Sequence, residues 1–194
     1  QLNVCYKTSL RMAHQIKILM ADKHLGKLTG QVQIDESYFG MKLENKHNKE
    51  RKAIYDAGGT KHDNKTGVMG FVNENKQLKF EVMGDTQTFK QRVRKHVSTD
   101  AVIITDSHLG YKGLDISYIK HEVINHFEKE LKRVEYHTNT MENAWYNLKR
   151  PIKGTNIHVS RKHLQKYADE VAFRMMERDN QDTMFETIMS HVAS

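Results

Sequence analysis

The sequence predicts an α/β fold, a mixed sheet flanked by helices and preceded by a short helical remnant, on three observations. Short apolar or alternating runs at 31–35, 67–72, 78–83 and 101–105 read as strands. Apolar residues spaced three or four apart at 86–97, 140–150 and 160–175 read as helices. In chain order, three strands come first, a helix precedes the fourth, and helices close the chain.

The opening stretch sets Leu10, Ala13, Ile16 or Lys17 and Met20 at helical spacing with basic residues between them. It reads as an amphipathic helix, either packed on the following domain or serving as a DNA-recognition helix whose partner helix lies upstream. After a break at Gly26 to Gly30, Val32 and Ile34 alternate with Gln31, Gln33 and Asp35, so Asp35 is expected on the face opposite the apolar pair. From Met41 to Thr66 the chain is polar and basic and reads as a loop or long hairpin, either a solvated connection or a DNA contact. Gly67 to Val72 and Leu78 to Met83, joined by turn chemistry at Asn73 to Lys76, form an expected antiparallel pair.

Phe89, Val93 and Val97 mark the next helix, and the continuous apolar run Ala101 to Thr105 after it reads as a buried parallel strand. Residues 110–130 have mixed periodicity, with a short strand within 116–124 as one reading. Met141, Ala144, Trp145 and Leu148 form the apolar stripe of a helix that Pro151 is expected to end or kink. A last long helix is expected after Ser160 as N-cap, with a short helix in the final dozen residues. This order is RNase H-like: the first and fourth strands become neighbours, and so do Asp35 and Asp106, although 106 − 35 = 71 residues separate them.

The 194 residues suffice for one domain, or one domain and a fragment. A formal charge of +7 favours polyanionic partners. The single Cys5 excludes an internal disulfide framework and a Cys-rich zinc motif within these residues, which points to a cytoplasmic protein. No apolar run is long enough for a membrane span and no signal-peptide pattern opens the chain. Beginning on Gln1 rather than Met, the chain reads as a piece of a longer protein.

Three carboxylates carry the chemistry. Asp35 lies in a strand, Asp106 closes a later strand, and Glu142, a further 142 − 106 = 36 residues on, opens a helix. Mg²⁺ takes hard oxygen ligands and keeps several waters, so three acids can seat two ions, the arrangement suited to phosphodiester cleavage and transfer. Asp35 would bridge both ions, with Asp106 on one and Glu142 on the other, and Mn²⁺ would substitute. Lys149 lies two turns after Glu142 on the same face, where its ammonium can grip phosphate. His108 and His137 each stand a few residues from one of these acids, where the imidazole touches substrate phosphate, orients a carboxylate or packs in the fold.

Five segments, Ile34 to Gly40, Thr105 to Tyr111, His137 to Trp145, Leu148 to Arg150 and Gly154 to Lys162, together resemble the DDE transposases of bacterial insertion sequences in the ISXO-like class. The resemblance spans nearly the whole chain. It implies an RNase H-like catalytic domain that cuts element ends and joins them to target DNA, with Asp35, Asp106 and Glu142 as the metal-binding triad. Lys149 is then the trailing basic residue. Apart from the resemblance, the basic residues Arg150, Lys153, Arg161 and Lys162 are, with Lys149 and His137, the expected DNA contacts.

The implied organisation is a helix-turn-helix remnant at 1–24, a catalytic domain at 25–178 and a helical tail at 179–194. Element ends and target DNA are the partners, assembly on DNA is homo-oligomeric, and the location is the bacterial nucleoid. Some relatives carry Asn in place of the third acid, which makes Asn139 and Asn143 the alternatives to Glu142. Competing activities are a metal-dependent nuclease of the same fold without strand transfer, and a non-catalytic DNA-binding remnant.

Overall fold

The computed structural model describes residues 3–21, 25–40, 43–59, 65–84, 87–105, 109–111, 114, 118, 120–123, 139–154 and 159–192. Its centre is one five-stranded mixed sheet built from β1 (Gln31–Phe39), β2 (Thr66–Asn73), β3 (Leu78–Val82), β4 (Val102–Thr105) and β5 (Lys120–Val123), in the order β3-β2-β1-β4-β5. β1, β2 and β3 are antiparallel neighbours, whereas β4 runs parallel to β1 and β5 parallel to β4. The expected adjacency of the first and fourth strands is therefore present. The ambiguous run near 116–124 resolves, where described, into edge strand β5.

The helices are α1 (Tyr6–Leu19), α2 (Asn48–Asp56), α3 (Phe89–His96), α4 (Asn139–Lys153), α5 (Arg161–Met176) and α6 (Met184–Ser190). Strand alternation sorts side chains onto two faces. Val32, Ile34, Met69, Phe71 and Ile103 pack with Val93 of α3 on one face. On the other, Phe39, Val68, Val72, Leu78 and Phe80 meet Met141, Trp145 and Leu148 of α4 and Leu164 and Ala168 of α5. Asp35, in phase with Phe39 along β1, belongs to the second face, as the alternation predicts.

Two local expectations need correction, and a third resolves into one of its two readings. The basic stretch 41–66 is neither plain loop nor hairpin where described, since it carries α2, whose Lys, Glu, Arg and Ala residues are good helix formers. Lys46 and Glu50 form an i,i+4 ion pair and Asn48 accepts a hydrogen bond from Arg51 at the helix start. Pro151 does not end α4, which continues to Lys153. The buried Leu148 and Ile152 on either side of it hold that turn against the core. α1 docks on the domain, but buries none of its own residues. Its seat on α5 is polar: Lys17 pairs with Glu170, and the His14 and His163 rings lie 4.5 Å apart.

The outer strand β3 is secured from both faces. The Gln165 side chain of α5 accepts from the Val82 N–H (2.8 Å) and donates to the Phe80 carbonyl (2.8 Å), so it pairs with the open edge as another strand would. On the opposite face Glu81 gathers Arg92 (3.1 Å), Lys95 (3.2 Å) and His96 (2.6 Å) from α3. Arg92 is buried and also donates to the Gly84 carbonyl. α3 starts on a capping box between Thr88 and Gln91, which fixes the turn that aims these cations.

Burial raises the Glu81 carboxyl, but hydrogen bonds and charges from His96 and Lys95 outweigh it and hold the group below its ordinary value. A depressed folded-state value means that the linked stability is present above the ordinary carboxylate range and is lost as pH falls through the depressed one. Glu81→Ala should cost on the order of 3 kcal/mol at neutral pH, because it leaves a buried guanidinium without its carboxylate. Urea denaturation at stepped pH should show the gap to the parent chain closing on acidification; a gap constant down to strongly acid pH would refute the role given to this cluster.

Candidate active site

Asp35 sits in the middle of β1, opposite Gly70 of β2, and Gly70 in turn stands opposite Phe80 of β3. This row of acid, glycine and phenylalanine lies on the sheet face that α4 covers. Trp145 of α4 crosses the row: its indole N–H donates to Asp35 Oδ2 over 2.8 Å, and its ring packs against Phe80 (centroids 5.1 Å apart) and Phe39 (6.3 Å).

The glycine is what lets the helix come so close. A Cβ at position 70 would collide with Met141 Cε and stand 2.9 Å from Trp145 Cζ2. A glycine inside an apolar strand is a sequence signal of close approach, and this one was readable as such in Val68-Met69-Gly70-Phe71-Val72. The indole of Trp145 is 5% exposed, so its N–H is out of reach of bulk water and needs an acceptor within the fold. Leaving such a donor unpaired costs about 1–3 kcal/mol, which ties the carboxylate of Asp35 to one orientation.

Glu142 lies on the first turn of α4, one turn before Trp145, and is exposed. The bond that seats Trp145 on Asp35 therefore also seats the turn carrying Glu142 on Asp35's side of the sheet. Of the two alternatives to Glu142, Asn143 is exposed and accepts a hydrogen bond from Asn147 (3.2 Å), and the side chain of Asn139 lies outside the described residues. Lys149 is half-buried, with its ammonium 6.0 Å from the centre of the Trp145 ring. Acid, indole and ammonium thus follow one another down a single helix. Arg150, Lys153, Arg161 and Lys162 are exposed around the end of α4 and the start of α5.

Asp106, His108 and His137 lie outside the described residues. β4 is described up to Thr105, the residue before Asp106. Its parallel register with β1 pairs Gln31 with Val102, Val32 with Ile103 and Gln33 with Ile104, a constant offset of 102 − 31 = 71, equal to the separation of Asp35 and Asp106. Thr105 is buried and its hydroxyl is 2.8 Å from His121 Nε2 on β5, a pairing that sequence spacing did not reveal. Among the described residues no group of three or more His, Cys, Asp or Glu is placed to hold a metal. The described donors, an oriented Asp35 and an exposed Glu142, are hard carboxylate oxygens of the kind that divalent Mg²⁺ or Mn²⁺ accepts.

A mixed five-stranded sheet flanked by helices, with a carboxylate in the central strand beneath a helix that carries a second acid, is compatible with the RNase H-like fold. The ISXO2-like transposase domain matches residues 27–176, and the chain belongs to that family. The match takes in all five strands and α2 to α5. No curated protein matches the chain.

The close approach at Gly70 is directly testable. Gly70→Ala should destabilise the fold by about 1–3 kcal/mol through overpacking. Because Trp145 is the sole tryptophan, its emission should also shift as the ring is pushed off Asp35. A Gly70→Ala chain with parental stability and parental emission would show that the space above this glycine admits a methyl group.

Proposed function

We propose that this chain is the catalytic part of a DNA transposase that cuts the ends of a bacterial insertion sequence and joins them to target DNA by two-metal-ion phosphodiester chemistry. The observation that carries the reading is the Trp145 to Asp35 bond, which in a chain of this family sets Asp35 and the acid-bearing turn of α4 on one side of the sheet. The equality of the β1–β4 register offset with the spacing of Asp35 and Asp106 supports adding Asp106 to the pair.

In this reading Asp35, Asp106 and Glu142 hold two Mg²⁺ ions, or Mn²⁺ in their place. When bound, such a pair supplies activation of the attacking water or 3′-hydroxyl and stabilisation of the leaving oxygen. Asp35 does its part as a fixed ligand, held at its Oδ2 by the indole. Glu142, exposed on the helix's first turn, closes on the site from the solvent side. Lys149 faces scissile phosphate, and Arg150, Lys153, Arg161, Lys162 and His137 hold the flanking backbone.

The catalytic domain spans 25–178, close to the family match, with 1–24 as the end of a helix-turn-helix region and 179–194 as a helical tail. Pairing two element ends calls for at least two protomers on DNA. No described helix is long and apolar enough to cross a membrane, and action on DNA puts the protein in the bacterial cytoplasm at the nucleoid.

A labelled duplex bearing the element terminus with a free 3′-hydroxyl, incubated with supercoiled plasmid and Mg²⁺, tests the activity. Joined product supports transposition; nicking without joining would favour a nuclease of the same fold. Asp35→Asn and Glu142→Gln should each abolish both products while DNA binding stays within a few-fold, and metal-dependent cleavage surviving in both would sink the triad. Affinity measured across KCl concentrations checks the basic residues: neutralising Arg150, Lys153, Arg161 or Lys162 should flatten the log–log slope by roughly 0.9 for each phosphate the side chain had paired with. A residue whose neutralisation leaves the slope unchanged does not touch the backbone.

A further inference from the structure

We propose that Trp145 is a positioning residue of the metal site: its indole N–H, donated to Asp35 Oδ2, sets the carboxylate for metal binding. The inference rests on reading Asp35 as a metal ligand, and it assigns to the tryptophan a role that packing alone does not require.

Trp145 packs in a buried apolar cluster, against Phe39 and Phe80 and with the edge of its six-membered ring over Gly70, and none of these contacts uses the indole N–H. What tryptophan adds is a donor, and that donor meets a carboxylate 110 residues away in the chain. Three further features fit this use. Gly70, directly between Asp35 and Phe80, removes the side chain that would hold the ring off the sheet. The indole is nearly completely buried, so water does not compete for the bond. Lys149 places its ammonium over the same ring, 6.0 Å from its centre. A carboxylate that coordinates a metal has a defined rotation about its Cβ–Cγ bond, and an outer hydrogen bond that sets this rotation before binding spares the metal that ordering. Because Glu142 is one turn away on the same helix, the bond sets the spacing of the two acids as well as the angle of one.

The 194-residue chain contains a single tryptophan, so its ¹⁵N-labelled form has one indole N–H resonance and the readout needs no assignment. Adding Mg²⁺ should shift that resonance in the parent chain and leave it in place in Asp35→Asn. Mn²⁺ binding, followed by electron paramagnetic resonance, should weaken about 10–100-fold in Trp145→Phe, with unchanged far-ultraviolet circular dichroism. An indole resonance unmoved by Mg²⁺, in a chain whose Mn²⁺ binding depends on Asp35, overturns the positioning role and leaves Asp35 a ligand. Mn²⁺ bound equally well by the parent and Asp35→Asn overturns the metal-site reading, and the positioning role with it. If Trp145→Phe folds poorly, the indole resonance of the parent chain decides alone.

Discussion

The arrangement depends on one hydrogen bond between an indole and a carboxylate. Trp145 is too buried to find water, and Asp35 is the acceptor its N–H reaches. Removing Asp35 would strand a buried donor, and removing Trp145 would take the indole donor away from Asp35 Oδ2, so the bond couples the two residues beyond their packing. Through this bond α4 acquires a fixed height and rotation over β1 and β2. The positions of Met141, Glu142 and Lys149 then follow from helix geometry.

The sheet has to be rigid for that to matter, and its rigidity is secured at β3. An outer strand with open N–H and C=O groups tends to slip or to recruit another chain. Here Gln165 occupies that edge from α5, while Glu81 ties the strand to α3 through Arg92, Lys95 and His96. Phe80 lies between these two attachments and carries one side of the Trp145 ring. The row Asp35, Gly70, Phe80 is thus clamped at its outer end by side chains with no contact to the proposed chemistry. β4 is braced in a comparable way on the other side, where Thr105 meets His121 one residue before Asp106.

Much of this was legible in the sequence because it is periodic. Alternation of Val32 and Ile34 with Gln33 and Asp35 put the acid on the correct face, and the apolar run before Asp106 announced a strand parallel to the first. The stripe of α4 was equally plain, and so was the helical spacing over 160–175 that became α5. The features that periodicity does not carry depend on distance in sequence or on competition between signals. The Trp145 to Asp35 bond joins residues 110 apart, and an aromatic at helical spacing reads first as core. α2 was hidden by its charge, since a helix that buries no residue has no apolar stripe to show. Pro151, expected to end or kink α4, does not end it at once: the buried neighbours Leu148 and Ile152 hold the last turn against the core and the helix continues to Lys153. The assignment of Glu142 over Asn143 still rests on its acidity and its place before Lys149.

The two described acids divide the proposed work according to how each is held. Asp35 is fixed by its place in strand β1, paired with Gly70 of β2, and by an indole above, which suits a ligand whose geometry must exist before the metal arrives. Glu142 stands on an exposed first helix turn, which suits a ligand that closes after DNA and metal are in place. An exposed acid beside a phosphate backbone would otherwise repel it. The cations Arg150, Lys153, Arg161 and Lys162, exposed around the end of α4 and the start of α5, would provide the opposing field in the proposed function without lying in the acid-bearing turn. In the proposed function, separating the fixed acid, the exposed acid and the surrounding charge along one helix and the strand beneath it would let the chain bind a polyanion while keeping carboxylates at the point of reaction.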